Sequence, residues 1–87
     1  MSAASKLHLA RLHTMSCIVC HRCYGRSVRA EEAHHLEYNR GAHSDFATVP
    51  LCGSCHKELH ALRRRAFYVA HKLTDVKLLA WTIEALA

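Results

Sequence analysis

The chain has 87 residues, a formal net charge of +5, five cysteines and nine histidines. A chain this short buries only about 60–65% of its unfolded surface, so an apolar core alone leaves it marginal and a staple is needed. The cysteines and histidines exceed what a core uses and point to metal, and an odd cysteine count argues against a disulfide framework. No run approaches the roughly 18 apolar residues of a membrane span, and the charged N-terminus holds no block suited to a signal peptide. The expected setting is the cytoplasm, where thiols stay reduced, with no membrane partner. A basic small domain suits an anionic partner, nucleic acid first among them.

Residues 2–14 carry good helix formers with Leu7, Leu9 and Leu12, a pattern that fits a short helix or a basic arm. Cys17 then opens a turn-rich knuckle, CIVCHRCYG, closed by Gly25. Arg26 to His35 reads as a strand leading to the pair His34–His35, and residues 36–47 read as a polar loop with Asn39, Gly41 and Asp45 as turn formers. Thr48 to Leu51 is short, β-branched and apolar, and Pro50 confines it to an edge or to the end of a strand. Gly53–Ser54 offers a turn, with Ser54 as the expected cap of the next helix. That helix is expected from Cys55 to Leu73, on apolar residues Leu59, Leu62, Ala66, Val69 and Leu73 spaced by three and four. Thr74–Asp75 interrupts and caps a last helix, Val76 to Ala87, in which Val76, Leu79, Ala80, Ile83 and Leu86 form one apolar stripe and Leu78, Trp81 and Ala85 another. A helix apolar over so much of its surface is expected to pack on the core or against a second copy of the chain, giving a homodimer. With no repeat or linker, the whole of 1–87 reads as one domain: an N-terminal helix or arm (1–14), a knuckle and core (15–73) and a C-terminal helix (74–87).

Two CxxC pairs, Cys17/Cys20 and Cys52/Cys55, are separated by 31 residues. Zinc prefers a tetrahedron of thiolates, and each CxxC turn presents two sulfurs on one side of a tight loop, so the pairs close one structural site with the His-bearing segment looped between them. Zinc binding energy then becomes folding energy. Cys23 is left as a spare thiol. On a helix, His56 and His60 lie about 40° apart around the axis and reach one ion, while the Leu59 stripe points about 110° away. On a strand, the adjacent His34 and His35 point to opposite sides, which lets one bind metal while the other does something else. Two readings follow: a second structural zinc on His34, His56, His60 and His43, or a catalytic ion with an open position and a base beside it.

The pieces AHH at 33–35, SDFATVPLC at 44–52 and CGSCHKELH at 52–60 resemble the HNH nucleases, whose ββα-metal fold wraps a hairpin and a helix around one catalytic ion. The likeness runs from residue 17 to about 62 and is strongest to small phage HNH proteins of the recombination-enhancement type. It implies a small α+β fold, a zinc-stapled ββα-metal core with flanking helices. By position it makes His34, His56 and His60 ligands of a catalytic divalent ion (Mg²⁺, Mn²⁺, Ni²⁺ or Zn²⁺), His35 the general base, and the four knuckle cysteines the holders of structural Zn²⁺. The family's middle asparagine has no Asn counterpart before Val49, and Asp45 is the nearest candidate for that role. The implied activity is hydrolysis of DNA to 5′-phosphate and 3′-hydroxyl ends. Arg40, Lys57, Arg63 and Arg64 are the expected DNA contacts, with Arg22, Arg26, Arg29 and Arg65 as further cations for the backbone. With no evident recognition helix, sequence preference is expected to be low or supplied by another protein that delivers the enzyme. The competing reading is a non-catalytic zinc module that binds DNA or a protein.

Overall fold

In the computed structural model, which describes residues 2–38 and 42–87, the chain begins as a helix and not as a free arm. Ser2 accepts the Ser5 N–H at 3.0 Å and caps α1 (Ala3–Leu12), whose Leu12 is fully buried. The knuckle folds into a second helix, α2 (Ile18–Tyr24), that buries Ile18, Val19 and Cys20. Gly25 ends it at φ 65, where its N–H bonds back to Cys20 O and His21 O, a left-handed turn that glycine makes without a Cβ clash.

The expected strand from Arg26 starts only at Glu32. Residues 26–31 instead cross back over the knuckle, through a single bridge between Ser16 and Arg29 and an Ala30 N–H to Met15 O bond of 3.0 Å. Their backbone partners are therefore Cys20 of α2 and residues just before it, and not a neighbouring strand.

The two strands, β1 (Glu32–Tyr38) and β2 (Ala42–Leu51), pair antiparallel as the only sheet among the described residues. The polar loop expected at 36–47 is mostly strand. Pairs run from Glu32↔Leu51 to His35↔Thr48 and resume at Glu37↔His43 and Tyr38↔Ala42. Between His35 and Glu37 the first strand advances two residues while the second advances five, so β2 bulges over Ser44–Ala47. Ser44 Oγ holds the bulge by accepting the Phe46 N–H at 3.2 Å. Asn39, Gly41 and Arg40, the first two expected in the turn and the third at DNA, lie outside the described residues, as does the side chain of His43. Pro50 sits opposite Ala33 in a sheet whose two strands are both edges, so its missing N–H costs no ladder bond further on.

The long helix α3 (Gly53–His71) is capped by Cys52 and not by Ser54: the Cys52 Sγ accepts the Cys55 N–H at 3.4 Å. It is also not straight. Arg63 stands at φ 70, ψ 160, which breaks the helix into two segments. The break resets the apolar phase. Leu59 is buried before it and Phe67 and Leu73 after it, whereas Leu62 (45% exposed) and Val69 (73%), both expected on the core stripe, face solvent. Lys72 ends the helix in a left-handed conformation, and Thr74 then caps α4 (Asp75–Leu86) by accepting the Lys77 N–H at 3.0 Å.

The buried cluster draws on every element after α1: Ile18 and Val19, Leu36, Val49 and Leu51, Leu59 and Phe67, and Leu73 and Leu78 on either side of the last cap. On α4 Leu78 and Trp81 pack inward, joined by Leu79 from the other stripe and by Thr82, whose buried hydroxyl donates to Leu78 O at 2.8 Å. From the other stripe Val76 (78% exposed) and Ile83 (58%) face outward. Arg22 braces α2 against α4 through Glu84 at 3.1 Å while stacking over Trp81, and Arg11 ties α1 to Leu86 O at 2.9 Å. The radius of gyration, 12.2 Å, matches the roughly 12 Å of a compact chain of this length. Among the described residues no helix is long and apolar enough to cross a membrane.

Candidate functional site

The structure brings together Cys17, Cys20, Cys52 and Cys55. Their sulfurs all lie within 4.8 Å of one another. A zinc–sulfur bond of about 2.3 Å sets tetrahedral thiolates about 3.8 Å apart. Cys20 Sγ stands 3.9 Å from Cys52 Sγ and 3.7 Å from Cys55 Sγ, far beyond disulfide length and close to that edge. Burial, reinforced by the neighbouring Cys17, pushes the Cys20 thiol up to about 11, and burial likewise pushes Cys55 up. Hydrogen bonds from Cys55, Cys17 and Cys20 instead lower Cys52 against its burial, and a divalent cation is the partner that would offset the cost of ionising Cys20 and Cys55 beside it. The donor set fits zinc. Cys23 stays apart, with its Sγ 3.8 Å from His71 O.

The second cluster is His34 from β1 with His56 and His60 from the first half of α3, again with ligand nitrogens within 4.8 Å. His56 and His60 are one turn apart on a regular stretch, and their Nε2 atoms lie 3.0 Å from each other. Metal–nitrogen bonds of about 2.1 Å place neighbouring ligand nitrogens about 3.0–3.4 Å apart, so this pair also fits one ion. Glu32, at the start of β1, accepts the His56 Nδ1–H, which leaves the His56 lone pair on Nε2, facing the cluster. Desolvation, with the neighbouring His56 and His60, lowers His34 from 6.5 to about 4, so its imidazole is neutral and able to ligate at pH 7.

His35 faces elsewhere, as adjacent strand residues must. Its Nε2 lies 2.9 Å from Asp45 Oδ1. The bulge explains the contact, because extra residues in β2 turn Asp45 out of the ladder's alternation and aim its carboxylate at β1. With the carboxylate accepting Nε2–H, the basic lone pair of the neutral ring is on Nδ1. His34, His35, Glu37, His60, Arg63 and Arg64 line a cavity of about 370 Å³.

Of the other expected DNA contacts, Lys57 is exposed on α3. Arg64 is shared with Asp75 at 3.6 Å. Arg22 and Arg26 lie over the rings of Trp81 and Tyr24, so part of their charge is used within the fold. Sequence reasoning missed Glu32, whose position beside His56 depends on Glu32 pairing with Leu51 just before the α3 cap. It also missed a brace behind the cysteines. There Tyr24 OH and His71 Nδ1 are 2.5 Å apart and His71 Nε2 and Glu58 Oε1 2.6 Å, tying both halves of the kinked helix to α2. No spacing rule signals either feature, because both arise from how the hairpin and the kink dock. No protein-family model, no curated protein and no solved structure matches the chain.

Proposed function

We propose that the protein is an HNH-type endonuclease that hydrolyses DNA phosphodiester bonds, built as a ββα-metal core stapled by zinc on Cys17, Cys20, Cys52 and Cys55. One observation carries this reading. His34 and His60 of the three-imidazole cluster and His35, which meets Asp45, line the same cavity, while the four-cysteine cluster is complete without them. A fold that needed only a staple would not also require a carboxylate-oriented histidine beside a three-ligand site.

His34, His56 and His60 would hold a divalent ion, which when bound would supply Lewis-acid stabilisation of the negative charge that develops on the phosphate. Three protein ligands leave room for substrate or water. His35 takes one proton from the attacking water at Nδ1, and Asp45 holds the ring in the tautomer that makes this nitrogen basic. The water oxygen bonds to phosphorus, the P–O3′ bond breaks, and the leaving O3′ is protonated from solvent, giving 5′-phosphate and 3′-hydroxyl ends. Arg63 and Arg64, which line the same cavity, hold the phosphodiester backbone, and Lys57 extends the track. Such contacts position DNA without reading its sequence, so selectivity comes from DNA shape or from a protein that delivers the enzyme.

The test is supercoiled plasmid and single-stranded DNA incubated with the zinc-loaded protein and Mg²⁺, Mn²⁺, Ni²⁺ or Zn²⁺. The reading expects nicking with at least one ion and its abolition by EDTA. Absence of EDTA-sensitive cleavage with every ion on both substrates would overturn it in favour of a zinc-binding interaction module.

A further inference from the structure

Thr48 is fully buried on β2, at 0% exposure. Burying a hydroxyl is unfavourable unless its hydrogen bonds are made, and here both are. The Thr48 hydroxyl donates to the backbone oxygen of Asp45 at 2.8 Å and accepts from His8 Nε2 of α1 at 3.3 Å. Asp45 in turn meets His35 at 2.9 Å. A continuous chain, His8–Thr48–Asp45–His35, therefore leads from the first helix to the proposed general base.

Its importance follows from the bulge. Ladder pairing stops between His35 and Glu37, so no cross-strand pair fixes the backbone of Asp45. Ser44 Oγ holds the N–H of Phe46, one residue beyond, and the Thr48 hydroxyl holds the carbonyl of Asp45 itself. His8 is fixed for its own task by packing its ring on Phe46, with centroids 5.2 Å apart. Valine at 48 would keep the volume and the β-branching of threonine and remove only the hydroxyl.

We propose that Thr48 and His8 are positioning residues that fix the Asp45 carboxylate against His35, which makes α1 a working part of the catalytic apparatus. This rests on the nuclease reading for its kinetic consequence but not for its geometry. A displacement of about 1 Å in a catalytic group can cost about 10²-fold in rate.

The experiment compares Thr48→Val, Thr48→Ser and His8→Phe in the full zinc-loaded chain, alone and combined with Asp45→Asn. Thr48→Val is expected to lower kcat by about 10²-fold with little change in KM or zinc content, and Thr48→Ser to restore most of it. His8→Phe, which keeps the ring on Phe46, is expected to lower kcat in the same direction. In the Asp45→Asn background Thr48→Val should add almost nothing, since both changes break one chain. Long-range ¹H–¹⁵N NMR of the imidazoles reads the same geometry without activity: His35 should be the Nε2–H tautomer in the parent and a mixture in Thr48→Val. Additive losses in the double variant, no rescue by serine, or an unchanged His35 tautomer would overturn the proposal. A parent that cleaves nothing but shows the tautomer change would sink the nuclease reading and leave the positioning chain standing. If Thr48→Val does not fold, His8→Phe and Thr48→Ser carry the same NMR comparison.

Discussion

His34 and His35 are neighbours in sequence with opposite assignments, and each assignment has a physical cause. His34 turns towards α3, where burial and two other imidazoles keep it neutral, while His35 turns towards a carboxylate that the bulge delivers. The residue-level logic of HxxxH and of the strand alternation was legible in the sequence, because it depends only on helix and strand periods. Glu32, Thr48 and His8 were not, since each gains its role from a contact across elements. Nor was Arg63, whose φ of 70 and ψ of 160 lie in a region that β-carbon sterics reserve for glycine. Such a conformation costs about 1–3 kcal/mol, and glycine returns roughly 0.5–1 kcal/mol of that as lost chain entropy. Arg63→Gly is therefore expected to stabilise the fold by about 1 kcal/mol, raising Tm by roughly 4–8 °C, while weakening DNA cleavage. A melting curve that falls or does not move would contradict the strain.

At the scale of elements, the break at Arg63 sets which side chains reach the core. A straight helix with the period read from the sequence would bury Leu62 and Val69 and leave Phe67 outside. The observed helix does the reverse. Phe67→Ala is expected to cost about 3–5 kcal/mol, and Leu62→Ala within about 0.5 kcal/mol of nothing, both read by urea denaturation. Equal costs, or the opposite order, would restore the straight helix. The hairpin was half legible. Its inner ends, the His pair and the TVPL run, declare themselves by residue type. Its outer ends are rich in turn-forming residues, yet Glu37 and Tyr38 pair with His43 and Ala42, while Ser44 and Asp45 stay in the bulge. The cap moved too: Cys52, held in the cysteine cluster, directly precedes the first helical residue Gly53, whereas Ser54 lies inside the helix, and the Cys52 sulfur accepts the orphan Cys55 N–H.

For the whole molecule, the four-cysteine cluster joins α2 to the start of α3, so the staple sets where the His56–His60 helix begins relative to the hairpin. That the four cysteines come together was legible from the two CxxC spacings alone. Cys52 caps the helix, belongs to the core and is a ligand of the proposed zinc, so Cys52→Ser is expected to abolish bound zinc and the cooperative melting transition together. Metal analysis and circular dichroism would read both, and an unchanged transition would refute the staple. The brace of Arg22 on Trp81 and Glu84 uses one face of α4 and leaves Val76 and Ile83 in water. We propose that a second copy of the chain covers this face, with DNA as the shared partner. Sedimentation at high concentration is expected to show a dimer that Ile83→Glu dissolves, and a clean monomer for the parent chain would dispose of the idea.

The account turns on His35 being a base and not a fold residue. The most direct measurement is plasmid cleavage by His35→Ala beside the parent chain, at saturating divalent ion, with zinc content and melting temperature recorded for both. The account predicts a rate lower by about 10²–10⁴-fold with zinc content and stability nearly unchanged. Cleavage at the parent rate by the alanine variant would contradict it.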